Sequence, residues 1–244
     1  MGNEEKSWLK GKRWLLPLAL PFLLAVIFFI YVSGYYHADE TAQHFMLSDD
    51  SVSVTATDYG WLFDGPSEDT ALIFYPGGKV EETAYAPLLH TLAAEGMDVC
   101  LVRMPFHLAI LHGNAADAVI SSHDYTNWYI GGHSLGGVMA ASYASDHGDE
   151  LSGVILLAAY PIKQIPDPMK EIQVIGSEDH VINQDKVKEG KAYASKYYTE
   201  HVIEGGNHAQ FGNYGQQNGD GMATITPEEQ IQETIQVILD AVRQ

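Results

Sequence analysis

Short apolar runs recur along the chain and are separated by longer segments with apolar residues at helical spacing. Continuous runs of this kind are typical of strands buried on both faces, and alternating positions are typical of half-buried strands. The pattern predicts strands near Val52–Ala56, Trp61–Phe63, Ala71–Tyr75, Val99–Val102, Trp128–Gly131, Val154–Ala158, Ile172–Ile175 and Tyr198–Ile203.

The segments between these runs carry the helical pattern. Helices are predicted over Glu81–Glu95, within Pro105–Ala118, from Gly136 to near His147, over Asn183–Lys196 and over Glu228–Val242. Strands that alternate with helices in this way form a mostly parallel sheet with helices on both faces. The fold class expected for residues 51–244 is therefore α/β.

The N-terminus has a different pattern. Residues 14–32 contain no charged side chain, and Lys10, Lys12 and Arg13 stand directly before them. An uncharged run of this length can cross a bilayer, and basic residues before it favour a cytoplasmic N-terminus. A cleaved signal peptide with a secreted product is the alternative, but the run exceeds the ~7 to 15 residues of a signal-peptide core.

These patterns divide the chain into four parts. We expect a cytoplasmic N-terminus over 1–13, a transmembrane signal anchor over 14–34, a polar tether over 35–50 and a single α/β domain over 51–244. The expected location is the cell membrane, crossed once, with the domain outside the cytoplasm.

Charge and cysteine content exclude several kinds of function. Beyond Arg13 the chain has 9 basic and 30 acidic residues, which argues against nucleic acid or anionic lipid headgroups as ligands of the domain. Cys100 is the single cysteine and lies in an apolar stretch, so no internal disulfide and no cysteine-based zinc site can form.

The strongest motif is Gly132-His133-Ser134-Leu135-Gly136, which reads G-x-S-x-G. It stands where a predicted strand gives way to a helix rich in small residues. That is the context of a strand-turn-helix elbow, in which a strained turn holds the serine hydroxyl clear of the sheet. We expect His133 to shape or pack the elbow.

Three other strands also end in informative loops. Pro76-Gly77-Gly78-Lys79 follows the third strand, Gly176-Ser177-Glu178-Asp179 follows the seventh, and Glu204-Gly205-Gly206-Asn207-His208 follows the eighth. Because the carboxyl ends of parallel strands meet at one edge of a sheet, these loops and the elbow should lie together.

The order serine, acid, histidine resembles the α/β-hydrolase fold from about Ser51 to the C-terminus. The stretches Pro76–Val80, Pro105–Ala109 and Gly206–Gly212 are similar to the compact group related to dienelactone hydrolases, called α/β-hydrolase fold-5. Dienelactone hydrolases proper have cysteine at the elbow where this chain has Ser134. Pro76-Gly77 replaces the usual His-Gly before the oxyanion hole.

The resemblance and the chemistry assign roles to five residues. Ser134 is the expected nucleophile, His208 its base, and Asp179 the acid that orients the imidazole. The backbone N–H groups of Leu135 and Gly78 are expected to bind the oxyanion. Rival acids and histidines are Glu178, Asp185, Glu204, His133, His180 and His201.

Lys79, His107 and Tyr214 are candidates for the substrate pocket. The chain is accordingly expected to be a membrane-anchored serine hydrolase that cleaves esters or other small acyl substrates through an acyl-enzyme. Its partners would be that substrate and the lipid bilayer, with no nucleic acid, no metal and no organic cofactor. The alternatives are a non-catalytic binding domain on the same fold, or a peptidase or acyltransferase that uses the same triad.

Overall fold

The computed structural model describes residues 16–66 and 69–243, and it divides into two compact units, Met1–Tyr35 and Tyr36–Gln244. In the first unit helix α1 covers Leu16–Ser33. Within the described residues no helix is long and apolar enough to cross a membrane.

The transmembrane helix expected over 14–34 is therefore not supported by the described part of the chain. Residues 14 and 15 of that span lie outside the described residues, as does the N-terminal segment 1–13.

The second unit is built on an eight-stranded sheet. The strands are β1 Ser53–Ala56, β2 Gly60–Asp64, β3 Thr70–Tyr75, β4 Asp98–Val102, β5 Asn127–His133, β6 Gly153–Leu157, β7 Lys170–Gly176 and β8 Tyr197–Ile203. Their order across the sheet is β1-β2-β4-β3-β5-β6-β7-β8. β2 runs antiparallel to both of its neighbours, and the six strands β3 to β8 all pair in parallel.

Helices cover both faces of this sheet. They are α2 Glu40–His44, α3 Ala86–Ala94, α4 Ala116–Ile120, α5 Leu135–Asp146, α6 Gln184–Gly190 and α7 Pro227–Arg243. Successive residues of β3 alternate between the two cores: Leu72 and Phe74 join one, and Ile73 and Tyr75 join the other. The first core includes residues of α3, α6 and α7, and the second includes residues of α4 and α5.

Two helices are shorter than the sequence pattern suggests. A 3₁₀ turn, Glu82–Tyr85, precedes α3 within the helix expected over 81–95. The helix expected over 183–196 stops at Gly190, followed by a 3₁₀ turn. A side chain at Gly190 would lie 3.1 Å from the Pro161 carbonyl oxygen, so the chain approaches closely where this helix ends.

The segment expected to be a tether packs on the sheet domain from Tyr36 onward. Tyr36 N–H donates to the Lys79 carbonyl at 2.8 Å, and Asp39 N–H donates to the Asn213 carbonyl at 2.9 Å. Ala42 in helix α2 is fully buried. The compact domain thus begins at Tyr36, earlier than the expected boundary at residue 51.

Strand β7 carries a buried carboxyl group in this domain. Glu171 is fully buried, its Oε2 accepts the Ser195 N–H at 2.8 Å, and its Oε1 has no hydrogen-bond partner among the described residues. Burial raises the pKa of Glu171 from 4.5 to about 7, and the bond from Ser195 offsets part of that rise.

We predict that Glu171→Gln stabilises the protein above pH 7. Between about pH 4.5 and 7 the folded state keeps a proton that the unfolded chain loses, so the free energy of unfolding falls as pH rises and then levels off. Glutamine removes this penalty, which is roughly 3 kcal/mol. Urea unfolding at pH 5 and pH 8 measures it; an equal change at both pH values contradicts the prediction.

Candidate active site

Four loops meet at the carboxyl edge of the parallel strands. We call them the β3 loop (residues 76–80), the elbow (residues 132–136), the β7 loop (residues 177–183) and the β8 loop (residues 204–213). Each follows the strand for which it is named, and the elbow joins β5 to α5.

The elbow holds Ser134 in a strained backbone conformation, with φ 52° and ψ −122°. Glycines on both sides allow it, because a side chain at Gly132 or Gly136 would collide with the Tyr75 carbonyl oxygen at the end of β3. The Ser134 N–H is anchored by the Leu157 carbonyl on β6 at 2.9 Å. A residue held in such a region is over-determined by its surroundings, as expected of a nucleophile at an elbow.

Asp179 and His208 form a buried pair between the β7 and β8 loops. Asp179 Oδ2 lies 2.8 Å from His208 Nδ1, and both side chains are at most 1% exposed. The second carboxylate oxygen, Oδ1, accepts the N–H groups of Val181 at 2.9 Å and Ile182 at 2.8 Å. When Nδ1–H donates to the carboxylate, Nε2 is the ring nitrogen that remains to accept a proton.

His208 Nε2 is buried and has no hydrogen-bond partner among the described residues. Its side chain lines the same cavity as Ser134. This cavity has a volume of about 290 Å³ and is lined by Ser134, Leu135, Val138, Ala158, Tyr160, Val181, Ile182, Asn183 and His208. The structure thus brings together the three residues that the sequence singled out for proton transfer.

The β7 and β8 loops are fastened to each other by their backbones. Glu178 N–H donates to the Gly206 carbonyl at 2.8 Å, and a side chain at Gly176 would collide with that same carbonyl. Buried Gln230 of α7 clamps Asn207 from both sides: it accepts the Asn207 N–H at 2.9 Å and donates to the Asn207 carbonyl at 2.8 Å. These contacts hold the backbone of the β8 loop, which carries His208, in place.

Gly78 and Leu135, expected to supply the oxyanion hole, lie side by side. A side chain at Gly78 would come within 3.0 Å of Leu135 Cδ2. Leu135 is the first residue of α5, a helix of 12 residues, and N–H groups at a helix start have no acceptor inside the helix. The positive end of this helix therefore faces the cavity that Ser134 lines.

Lys79, His107 and Tyr214 lie outside the lining of this cavity. Lys79 N–H donates to the His107 carbonyl at 2.8 Å, and Lys79 has a positive φ of 60°. Tyr214 is buried, and its ring centroid is 5.5 Å from that of Tyr36. Its hydroxyl donates to Gln217 at 3.1 Å.

His107 belongs to a polar cluster with Glu82 and Arg103 beside the β3 loop. Its Nδ1 lies 3.5 Å from Glu82 Oε2, and Arg103 Nε donates to Glu82 Oε1 at 2.8 Å. Burial by itself raises the pKa of Glu82, but the hydrogen bonds from His107 and Arg103 outweigh it and hold the pKa at about 2.

Sequence reasoning missed most of the cavity wall. Ala158 and Tyr160 lie within three positions of the end of β6, and Val181, Ile182 and Asn183 follow Asp179 within four positions. Their place just after strand ends is the one signal that could have indicated them. Gln230 had no such signal in the sequence. The role of a buried glutamine on an amphipathic helix becomes visible only when the loop that it hydrogen-bonds is known.

Comparison with known proteins supports this architecture. The alpha/beta hydrolase family model matches residues 71–232. Est1E from Butyrivibrio proteoclasticus shares 15% identity and a TM-score of 0.56 over 80% of this chain and 100% of its own. A predicted CIB-like hydrolase from Thermoplasma acidophilum shares 16% identity and a TM-score of 0.55 over 78% and 100%.

A third structure, described as a membrane phospholipase A and bacterial virulence factor, shares 14% identity and a TM-score of 0.59 over 98% of this chain and 99% of its own. No curated protein matches the sequence. At these identities the similar structures show the fold alone, whereas the family model covers well over half of the chain. The chain belongs to the alpha/beta hydrolase family.

Proposed function

We propose that this protein is a serine hydrolase that cleaves esters of small acids, with Ser134 as nucleophile, His208 as base and Asp179 as the residue that orients the base. One observation carries the proposal. The buried hydrogen bond from His208 Nδ1–H to Asp179 leaves Nε2 without a partner among the described residues, in the cavity that strained Ser134 also lines.

The reaction follows from this arrangement. Ser134 Oγ attacks the ester carbonyl carbon while its proton moves to His208 Nε2. The bond from carbon to the leaving alkoxide then breaks, and the alkoxide takes that proton as alcohol. Water repeats both steps on the acyl-enzyme, which releases the acid and regenerates the serine. Asp179 stabilises the imidazolium that forms twice in each cycle.

Charge on the carbonyl oxygen is greatest in the tetrahedral intermediates. The backbone N–H groups of Leu135 and Gly78 are proposed to bind that oxygen, because the two residues are in side-by-side contact. Removing one such donor typically costs ~3 to 4 kcal/mol of transition-state stabilisation. Neither donor is a side chain, so the β3 loop and the elbow must be held in place by their surroundings.

The size and lining of the cavity favour small apolar acyl groups. Apart from Ser134 and His208, its wall consists of apolar side chains together with Tyr160 and Asn183. A cavity of about 150 Å³ can hold a benzene ring, and ligand sites begin near 300 Å³. At about 290 Å³, this one has room for a short acyl chain.

We predict that a fluorophosphonate probe labels the wild type, and that Ser134→Ala abolishes labelling and turnover. Asp179→Asn should lower kcat about 10⁴-fold, because the carboxamide no longer holds the base in its working tautomer. Asp185→Asn is the matched control, since this acid is exposed and lies outside the cavity lining. An unlabelled wild type without turnover contradicts the proposal and favours a binding domain. Equal loss in both aspartate variants contradicts the role of Asp179.

A series of p-nitrophenyl esters tests the acyl preference. We expect kcat/KM to be high for chains up to about eight carbons and to fall for chains of about twelve or more. Val138→Ala should shift the optimum longer by about two carbons, because it removes two methyl carbons from the wall. Val237→Ala on α7 is the control. Faster cleavage of p-nitroanilides or peptides than of esters would instead identify a peptidase.

We also propose that the N-terminal segment attaches the protein to a membrane, with the domain outside the cytoplasm. Large apolar side chains of α1 are exposed, among them Phe22 at 72% and Ile30 at 68%, and large exposed apolar surfaces mark contacts with a membrane or another protein. We predict that full-length protein stays in the membrane fraction through a carbonate wash. A released product lacking the first thirty-odd residues would indicate a cleaved signal peptide.

A further inference from the structure

Tyr85 and His133 form a buried hydrogen-bonded pair directly behind the proposed catalytic residues. Tyr85 ends the 3₁₀ turn before α3, and His133 immediately precedes Ser134. Their Oη and Nδ1 atoms are 2.8 Å apart, and the two residues are 0% and 1% exposed. Neither takes part in the proposed proton transfer, so a polar pair at this depth requires another explanation.

The pair binds the β3 loop. Gly77 N–H donates to Tyr85 Oη at 3.0 Å, so the hydroxyl hydrogen is directed to His133 Nδ1. A side chain at Gly77 would lie 2.6 Å from Tyr85 Oη and 2.7 Å from His133 Nδ1. Glycine is thus required at position 77 because the loop backbone passes directly over this hydrogen bond, and Gly78, the proposed oxyanion donor, comes next in the chain.

The same pair packs against the β8 loop. The His133 ring centroid is 4.5 Å from that of His208 and 5.7 Å from that of Phe211. The turn that carries Tyr85 is joined to this loop as well, since Asn213 N–H donates to the Ala84 carbonyl at 2.7 Å. Three segments that must be aligned for catalysis, the β3 loop, the elbow and the β8 loop, therefore all contact one buried pair.

The charge state of the pair suits its position. Burial holds the pKa of His133 well below its usual value, and the neighbouring His208 lowers it further, against a small opposing effect of the His208 backbone. Burial likewise raises the pKa of the Tyr85 hydroxyl, which keeps its proton. His133 is thus a neutral acceptor, and the imidazolium that forms on His208 meets no second positive charge.

We infer that Tyr85 and His133 are positioning residues that hold the Gly77–Gly78 backbone and the His208 ring in register with Ser134. This inference rests on the proposed hydrolase function. It assigns neither residue a contact with the substrate. Its consequence is that breaking the pair should impair stabilisation of the transition state and leave binding of the intact ester largely unchanged.

Tyr85→Phe is the primary test in the full-length protein. It removes the hydroxyl, keeps the ring and leaves Gly77 N–H unpaired. With active sites counted by fluorophosphonate labelling, we expect kcat per labelled site to fall about 10- to 100-fold, less than the roughly 10²- to 10³-fold loss of a whole oxyanion donor. KM for a p-nitrophenyl ester should change less than about twofold, and Ki for a boronic acid, which mimics the tetrahedral intermediate, should rise by the same factor as kcat falls.

Tyr143→Phe is the matched control. Tyr143 is also buried, and its hydroxyl donates to Asp117 at 2.7 Å on α4, away from the four loops. It should lose stability comparably and keep its kcat. At the other end of the pair, His133→Asn retains an oxygen that can accept the Tyr85 proton and should keep more activity than His133→Leu, which cannot accept it.

The outcomes separate this inference from the function on which it rests. If the wild type neither labels nor turns over, the proposed function fails and the inference with it. If the wild type is active and Tyr85→Phe matches it per labelled site, the inference alone is overturned. The inference is also overturned if Tyr143→Phe loses as much kcat as Tyr85→Phe. Equal impairment of His133→Asn and His133→Leu overturns it as well, and this comparison decides the matter if Tyr85→Phe does not fold.

Discussion

The arrangement of the surrounding loops depends on the buried hydrogen bond between Asp179 and His208. A carboxylate removed from water is tolerated only when its oxygens are occupied, and here the Val181 and Ile182 N–H groups occupy one while the imidazole occupies the other. This pairing requires the β7 and β8 loops to approach within contact distance, which explains why Gly176 has no side chain and why their backbones hydrogen-bond.

The same constraint extends to the nucleophile through the sheet. Ser134 follows β5 and Asp179 follows β7, with β6 between these two strands. Neighbouring strands lie about 4.8 Å apart, and this spacing sets the distance between serine and aspartate. His208, which follows β8, must reach across that distance. Parallel pairing of β3 to β8 places the carboxyl ends of these six strands at one edge. Helix α5 can start at this edge because small residues follow the serine, and the Tyr85–His133 pair fills the space beneath.

Much of the architecture was predictable because its signals are local. Every strand expected from the apolar or alternating runs is present. The signal is clearest in β3, β4 and β6, which are buried on both faces and consist mainly of apolar residues. The packing of the segment after Tyr36 was not predictable, because this segment binds the domain through backbone N–H and carbonyl groups that every residue carries. The end of helix α6 at Gly190 was not predictable either, because the close approach there depends on a distant loop.

The sequence by itself determined the fold class, the elbow and the order of serine, acid and histidine. These features depend on side-chain chemistry and on strand or turn preference, which short stretches of sequence are enough to reveal. Tertiary structure decided which acid meets His208, that Lys79 and Tyr214 lie away from the cavity, and that Tyr85 reaches His133. These pairings join residues far apart in the chain, and their distances are set by sheet order, strand register and packing, which no local pattern encodes.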